Sequence, residues 1–137
     1  MLTLTPAQLD FVTARMLATL TTVRPDGTPH VVPVAFTWDA DGGRARITTR
    51  VTSVKARLID AGGARPTGGA HVALRSALCQ VEGQRWLTLE GSITLSRDPA
   101  QIAVAVARYA DRYRVLGVQP ERVVLHLVVE RVLGTVR

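Results

Sequence analysis

Six runs rich in β-branched and apolar residues dominate the chain, and turn-forming residues bound them. Such runs are typical of strands. The turns RPDG and DADGG leave no room for a crossover helix between the first three runs, which therefore predict an antiparallel meander. The six predicted strands are LATLTTV, HVVPVAFTW, RARITT, HVALRS, RWLTLEGSITLS and RVVLHLVVERV.

The predicted fold is mainly β with flanking helices (α+β), a six-stranded antiparallel barrel that is closed or nearly closed. Closure would remove exposed sheet edges. Pro33 lies inside the second run. Because proline has no backbone N–H, this strand is expected at an edge, bulged or locally opened at that point.

Three segments carry helix signals. Thr5 with Gln8, and Asp98 with Gln101, each form a capping-box pattern followed by apolar residues at helical spacing. The segment SVKARLIDAGG between them predicts a short helix that ends at glycine. A chain of 137 residues without repeats or linkers predicts one domain over 1–137.

Several classes of protein are disfavoured. No apolar run approaches the roughly 18 residues of a membrane span, and the N-terminus lacks signal-peptide features, so a cytoplasmic protein without membrane contact is expected. The lone Cys79 and three scattered histidines show no metal-ligand spacing, which predicts no metal site. Motifs such as GxSxG, a P-loop or GxGxxG are missing, and the catalytic residues stay unknown.

The net charge of +6 comes from 17 basic residues, of which only Lys55 is a lysine. The arginines are scattered singly and aromatic residues are few, which argues against nucleic-acid binding. A small polyanionic ligand fits this charge better, because Arg and Lys pair readily with phosphate and carboxylate groups.

The segment ITTRVTSVKARL is the best candidate site. Thr48 and Thr49 end a predicted strand, and Ser53 and Lys55 begin a helix, so hydroxyls, free N–H groups and an ammonium could converge on a phosphate. The alternative is that Thr52 or Ser53 only caps the helix and Lys55 is a solvated surface charge.

Two further features each have two interpretations. Trp86 could pack in the core or against a planar ligand. In RYADRYR, Arg108 and Arg112, like Tyr109 and Tyr113, are four apart on one helix face. That face is either an exposed arginine surface or one that recognises carboxylates.

Taken together, PHVVPVAFTWD after the PDGTP turn, ITTRVTSVKARL and RWLTLEG resemble the split β-barrel flavin and deazaflavin oxidoreductases related to pyridoxamine 5′-phosphate oxidase. The similarity runs over essentially the whole chain. Within that superfamily, LTTVRPDGTPHVVPVAFTWD, QVEGQRWLTLEG and RYADRYR with RVVLHLVVERVLG closely resemble the mycobacterial coenzyme F420-dependent biliverdin reductases.

The resemblance implies an FMN-binding split barrel and a homodimer with its sites at the subunit interface. It implies hydride transfer from reduced coenzyme F420 to a planar tetrapyrrole, from biliverdin to bilirubin. Arg57 and Arg85 become candidates for binding substrate propionates. The residues implied for cofactor binding are Pro33, Val34, Ala35, Thr48, Thr49, Arg50, Ser53, Lys55 and Trp86.

Two departures from the relatives stand out. The flavin-using oxidases carry an arginine and a lysine where this chain has Val32 and Thr37, which makes FMN a less favoured cofactor than F420. The loop ARPTGGA looks long, and the role of residues 64–70 is open. Two alternatives remain: another planar substrate or quinone reduced with the same cofactor, or a non-enzymatic FMN- or haem-binding protein on the same barrel.

Overall fold

A computed structural model of the chain describes residues 1–62 and 74–137. These ranges hold three helices and seven strands. The predicted loop at 64–70 and the first residues of HVALRS lie outside the described residues. In chain order the elements are α1 (Pro6–Thr13), β1 (Ala18–Val23), β2 (Pro29–Val34), β3 (Thr37–Asp39), β4 (Arg44–Arg50), α2 (Val54–Gly62), β5 (Leu74–Glu82), β6 (Arg85–Ser96), α3 (Pro99–Arg112) and β7 (Arg122–Gly134).

The strands form one sheet with the order β2-β1-β5-β6-β7-β4-β3, and every neighbouring pair is antiparallel. The mainly β prediction is confirmed. The predicted count of six strands is wrong, because the run HVVPVAFTW is divided into β2 and β3. The sheet is also not closed: β2 and β3 lie at its two ends and do not pair with each other.

The predicted meander is wrong for the same reason. β1 and β2 form a hairpin, but the chain then bends at Ala35 and Phe36, and β3 joins the opposite end of the sheet. β4 therefore pairs with β3 and β7 instead of β2. Since only two residues separate β2 from β3, the sheet must curl until its ends come close together.

Edge placement of the proline-containing strand is confirmed, because β2 pairs only with β1. The turn before it is the predicted one. Gly27 has a φ of 88° there, and the Asp26 carboxylate accepts hydrogen bonds from the N–H and hydroxyl of Thr28. A turn of this kind favours glycine because other residues rarely adopt positive φ.

The helices begin as predicted, with one difference. Thr5 and Gln8 form the reciprocal capping box of α1. Asp98 caps α3 by accepting from the N–H of Ala100, but Gln101 does not reach back to complete a box. Instead the Gln101 Oε1 lies 3.5 Å from an Arg44 nitrogen. α2 ends at Gly62.

Strand residues alternate between the core and the opposite face, as in β1 and β6. A bulge at Glu90/Gly91 changes the register of β6 against β7, and a Cβ at Gly91 would lie 1.8 Å from the Val128 carbonyl oxygen. Only glycine fits such a close approach. The largest fully buried side chains are Phe36, Leu20, Ile47, Leu78, Leu87, Leu89, Ile93, Leu125, Leu127, Gln80, Val12 and Val124.

Helices cover the sheet where its strands end. α3 packs on β3, β4 and β7, whereas α2 packs on β1 and β6 and α1 on β3. Within the described residues, no helix has the length and apolar character that a membrane crossing requires.

Candidate functional site

A cavity of about 340 Å³ opens where β2 and β4 end and β7 begins, beside α2 and α3. Its walls combine an edge strand, a strand end, a helix start and the segment that leads into β7. It is lined by Pro33, Val34, Ala35, Thr48, Thr49, Arg50, Lys55, Tyr109, Leu116, Gln119 and Arg122.

The wall from Pro33 to Ala35 lies at the end of an edge strand. Pro33 pairs with Thr19 and Val34 with Ala18, after which the strand ends. Because β2 has one neighbour only, its outer edge makes no ladder hydrogen bonds among the described residues. Such an edge leaves N–H and C=O groups available to a ligand.

The start of α2 forms the polar wall. The Ser53 carbonyl accepts the first helical bond from Arg57 N, and its Oγ accepts from Ala56 N at 3.2 Å. Ser53 is therefore the helix cap, as one of the two interpretations had it. Thr49 Oγ1 also lies 3.0 Å from Ser53 Oγ, which ties the strand end to the helix start.

Lys55 lines the cavity and is half-buried, so it is not a fully solvated surface charge. Burial lowers the pKa of its ammonium below the ordinary value. Among residues 1–62 and 74–137, no carboxylate forms an ion pair with it. A cation held partly out of water without a counter-charge is a good receptor for an anionic ligand.

Two arginines add to this charge. Arg50 and Arg122 are directly opposed in the β4–β7 register, so their side chains project from the same face of the sheet. Neither has an ion pair or a side-chain hydrogen bond within the described part of the chain. Like charges directly opposite each other are destabilising, and a bound anion would remove the repulsion. We call Arg50, Lys55 and Arg122 the cavity cations.

The bend beyond Ala35 is held by α3. Phe36 N donates to the Tyr113 hydroxyl oxygen at 3.2 Å, and the Phe36 carbonyl oxygen lies 2.9 Å from the same oxygen. Arg112 donates to that carbonyl too, and its guanidinium stacks 4.6 Å from the centre of the Phe36 ring. These contacts fix the position of the strand end that lines the cavity.

Arg112 thus does not belong to an exposed arginine face. Its guanidinium also donates to the Ala14 carbonyl at 2.6 and 2.9 Å and to Gln80 Oε1 at 3.0 Å. Burial lowers its pKa below the ordinary value. Only Arg108 of this pair is exposed, next to Asp111.

A second polar cluster lies on the same face of the sheet. Asp39 Oδ2 accepts from Arg44 and Arg46, both at 2.9 Å. Burial acts to raise the pKa of Asp39, but hydrogen bonds from Arg44 and Gly42 and the charge of Arg46 outweigh it and keep that pKa low. This cluster, unlike the cavity cations, is internally paired.

His126 is opposed to Arg46 in the register and is only 6% exposed. Burial first, and then the charges of Arg44 and Arg46, lower its pKa to about 4. The imidazole is therefore neutral at pH 7. In the part of the chain that the structure describes, no three His, Cys, Asp or Glu side chains are grouped as metal ligands would be.

The predicted site residues fall into two groups. Seven of the nine residues assigned to the cofactor line one cavity. Ser53 does not line it but is hydrogen-bonded to Thr49, which does. Trp86 does not line it: this half-buried residue is the second residue of β6, where its backbone bonds to Thr135. The substrate candidates are also elsewhere. Arg57 is exposed on α2, and Arg85 stacks 4.9 Å from the Phe11 ring centre.

Four lining residues were not predicted as site residues: Tyr109, Leu116, Gln119 and Arg122. Tyr109 was noticed only as part of a helix face. For Arg122 the sequence carries no usable signal, because its opposition to Arg50 depends on the strand order.

Comparison with known proteins extends these observations. The family model for pyridoxamine 5′-phosphate oxidase matches residues 4–135. The F420H(2)-dependent biliverdin reductase of Mycobacterium tuberculosis is 42% identical over 127 residues, which cover 93% of this chain and 85% of the relative.

Solved structures agree with this relationship. A conserved hypothetical protein from Mycobacterium tuberculosis superposes with a TM-score of 0.76 at 19% identity, covering 97% of this chain and 85% of the other. An F420 reductase superposes with a TM-score of 0.67 at 25% identity, covering 90% of this chain and 94% of the other. The family match over nearly the whole length and the 42% identical relative show that the chain belongs to the pyridoxamine 5′-phosphate oxidase family.

Proposed function

We propose that this protein is an F420H2-dependent oxidoreductase that transfers a hydride from the reduced deazaflavin to biliverdin, giving bilirubin. The relative that is 42% identical carries that activity in its name. The cavity supports the cofactor half of the proposal independently, because its chemistry suits a flat molecule with an anionic tail.

The observation that carries the proposal is the set of three cations without carboxylate partners around one cavity. Arg50, Lys55 and Arg122 line it together, and within the described ranges none is neutralised. Arginine and lysine left unpaired in this way bind phosphate through charge-assisted hydrogen bonds.

Different residues of the chain then bind the tail and the ring of the cofactor. Thr49, Lys55 and the two arginines hold the anionic tail, with Ser53 fixing the Thr49 hydroxyl. The backbone from Pro33 to Ala35 lies along the tricyclic ring. When bound, reduced F420 supplies the hydride, and the cavity walls orient it and exclude water.

A homodimer is part of the proposal. Trp86 does not line the cavity of its own subunit, so its contribution to the cofactor would come from across a subunit interface. Size-exclusion chromatography with light scattering tests this directly: a monomer at micromolar concentration would remove Trp86 from the proposed site.

The decisive test is a side-by-side titration with F420 and FMN, read by quenching of Trp38 and Trp86. We expect F420 to bind and FMN to bind at least about tenfold more weakly. A protein that purifies with FMN or a haem Soret band and ignores F420 would refute the proposal and favour a carrier or sensor.

Lys55→Ala should lower F420 affinity by roughly ten- to a hundredfold, since one charge-assisted hydrogen bond is worth about 1.5–3 kcal/mol. Its unfolding free energy should change little. Arg131→Ala is the matched control, because Arg131 is an exposed cation that does not line the cavity. An equal loss in both variants, or none in Lys55→Ala, would contradict the assignment.

The substrate is tested by mixing protein, reduced F420 and biliverdin and following the loss of biliverdin absorbance. Turnover above the uncatalysed rate is expected. Tight F420 binding without turnover would shift the proposal to another planar unsaturated acceptor or a quinone.

A further inference from the structure

A second cavity, of about 280 Å³, adjoins the cofactor cavity. Tyr109 lines both cavities, so they are neighbours on either side of this residue or beside it. The second cavity is lined by Arg15, Met16, Leu17, Tyr109, Tyr113 and Arg114. We call it the arginine-tyrosine pocket.

The pocket's walls are apolar and aromatic. The Tyr109 and Tyr113 rings lie 4.9 Å apart at an interplanar angle of 41°. Leu17, a large apolar residue, is 60% exposed beside them. Aromatic rings with an exposed aliphatic side chain suit a conjugated, planar molecule.

The rim of the pocket is positively charged. Arg15 and Arg114 are both exposed, and neither has an ion pair or hydrogen bond with another described residue. Arg112 lies close to Arg114 in the sequence but differs from it, because its guanidinium donates hydrogen bonds to backbone carbonyls. Two free guanidiniums at the mouth of an aromatic pocket suit carboxylates attached to the planar molecule.

We infer that the arginine-tyrosine pocket binds the acceptor substrate, a planar conjugated molecule that carries carboxylates, with Arg15 and Arg114 on those carboxylates. The inference rests on the proposed function, which places the hydride donor in the adjoining cavity. Arg57 and Arg85, the candidates from the sequence, line neither cavity.

The test compares biliverdin with its dimethyl ester, which keeps the conjugated system and loses both negative charges. Binding is read from the absorbance change of each tetrapyrrole on the protein without F420, so no turnover is required. We expect biliverdin to bind at least about tenfold more tightly than the ester, and the difference to shrink at high salt.

Arg15→Gln, Arg114→Gln and the double variant should each weaken biliverdin binding, with the double variant losing about tenfold or more and the ester changing less than about twofold. Their F420 affinity should equal that of the parent, which also shows that they fold. Arg131→Gln is the charge-matched control.

Several results would overturn the inference. One is equal affinity for biliverdin and ester, and another is no detectable binding of either one by the parent protein. A loss found in Arg57→Gln or Arg85→Gln instead would also overturn it. Because F420 is titrated separately, a failure here leaves the cofactor assignment standing, whereas loss of F420 binding by the parent would refute the proposed function itself.

Discussion

The cavity cations and Arg112 are used differently in this molecule. The cavity cations, Arg50, Lys55 and Arg122, have no partners in the described residues. Arg112, one turn after the cavity-lining Tyr109, donates to carbonyls of Ala14 and Phe36 and to other acceptors.

The difference shows how burial separates a structural charge from a binding charge. A guanidinium whose three nitrogens all donate to the protein stabilises the fold and has little left for a ligand. Cations that repel each other around an open space cost stability in the free protein, and that cost is recovered when an anion binds. Substitution of Arg112 should therefore lower the stability of the ligand-free protein, whereas substitution of a cavity cation should lower ligand affinity.

The largest expected effect is at Arg112, whose charge is structural. Arg112→Ala should lower the unfolding free energy by about 3 kcal/mol or more, because it leaves the acceptors at Ala14, Phe36 and Gln80 without their donor. Urea denaturation measures this. Arg108→Ala, one turn earlier and exposed, should change it by less than about 0.5 kcal/mol. Similar losses in both variants would break the distinction.

The paired cluster near Asp39 should produce a pH dependence. The folded pKa of His126 is about 4, below its unfolded value of 6.5, so the folded state binds fewer protons. Stability is then greatest above pH 6.5 and falls as the pH drops toward 4, by about 2 kcal/mol between pH 7 and 4.5. Urea unfolding of the parent and of His126→Gln checks this. If the unfolding free energy of the variant fell with pH as steeply as that of the parent, the loss of stability would be due to carboxylates and not to His126.

A smaller effect is expected at the bend. Tyr113→Phe removes the hydroxyl that Phe36 N donates to, and should cost about 1 kcal/mol of stability. Because Ala35 lines the cavity, F420 affinity should also fall a few-fold. Tyr109→Phe is the control for stability, since its hydroxyl has no hydrogen bond in the described residues. Unchanged F420 binding in Tyr113→Phe would mean that the bend does not position the ring-facing strand.

The smallest change in stability should have the opposite sign. Arg122→Gln relieves the repulsion with Arg50, so the ligand-free protein should gain about 0.5 kcal/mol, most clearly at low salt. The same variant should bind F420 about tenfold more weakly. Thermal melts with and without F420 measure both quantities. A loss of stability without ligand would show that Arg122 is a structural residue after all.

Local signals predicted much of this structure. The capping box at Thr5, the turn at Gly27 and the edge position of Pro33 each depend on a few neighbouring residues, and all three are confirmed. The run ITTRVTSVKARL was singled out as an anion site for the same reason. Its hydroxyls and lysine are adjacent in sequence, and the strand end and helix start that carry them are also local.

The errors have a common origin in contacts between distant residues. The break between β2 and β3 depends on Tyr113 and Arg112, which hold Phe36 from 77 and 76 positions away. Nothing in HVVPVAFTW shows those contacts, so the sequence predicted one strand where there are two. It also predicted a meander, whereas β3 joins the end of the sheet opposite β2.

The sequence by itself determined the strand-forming runs, the helix starts and the hydroxyl-rich segment with the single lysine, because propensity, capping and turn chemistry act over a few residues. Only the tertiary structure decided which charges are free. Arg112 and Arg122 look alike in the sequence, but Arg112 donates to backbone carbonyls, whereas Arg122 lies opposite Arg50 in the β4–β7 register and lines the cavity. That distinction depends on strand order and helix packing, since a charge is available to a ligand only if no other part of the fold has already neutralised it.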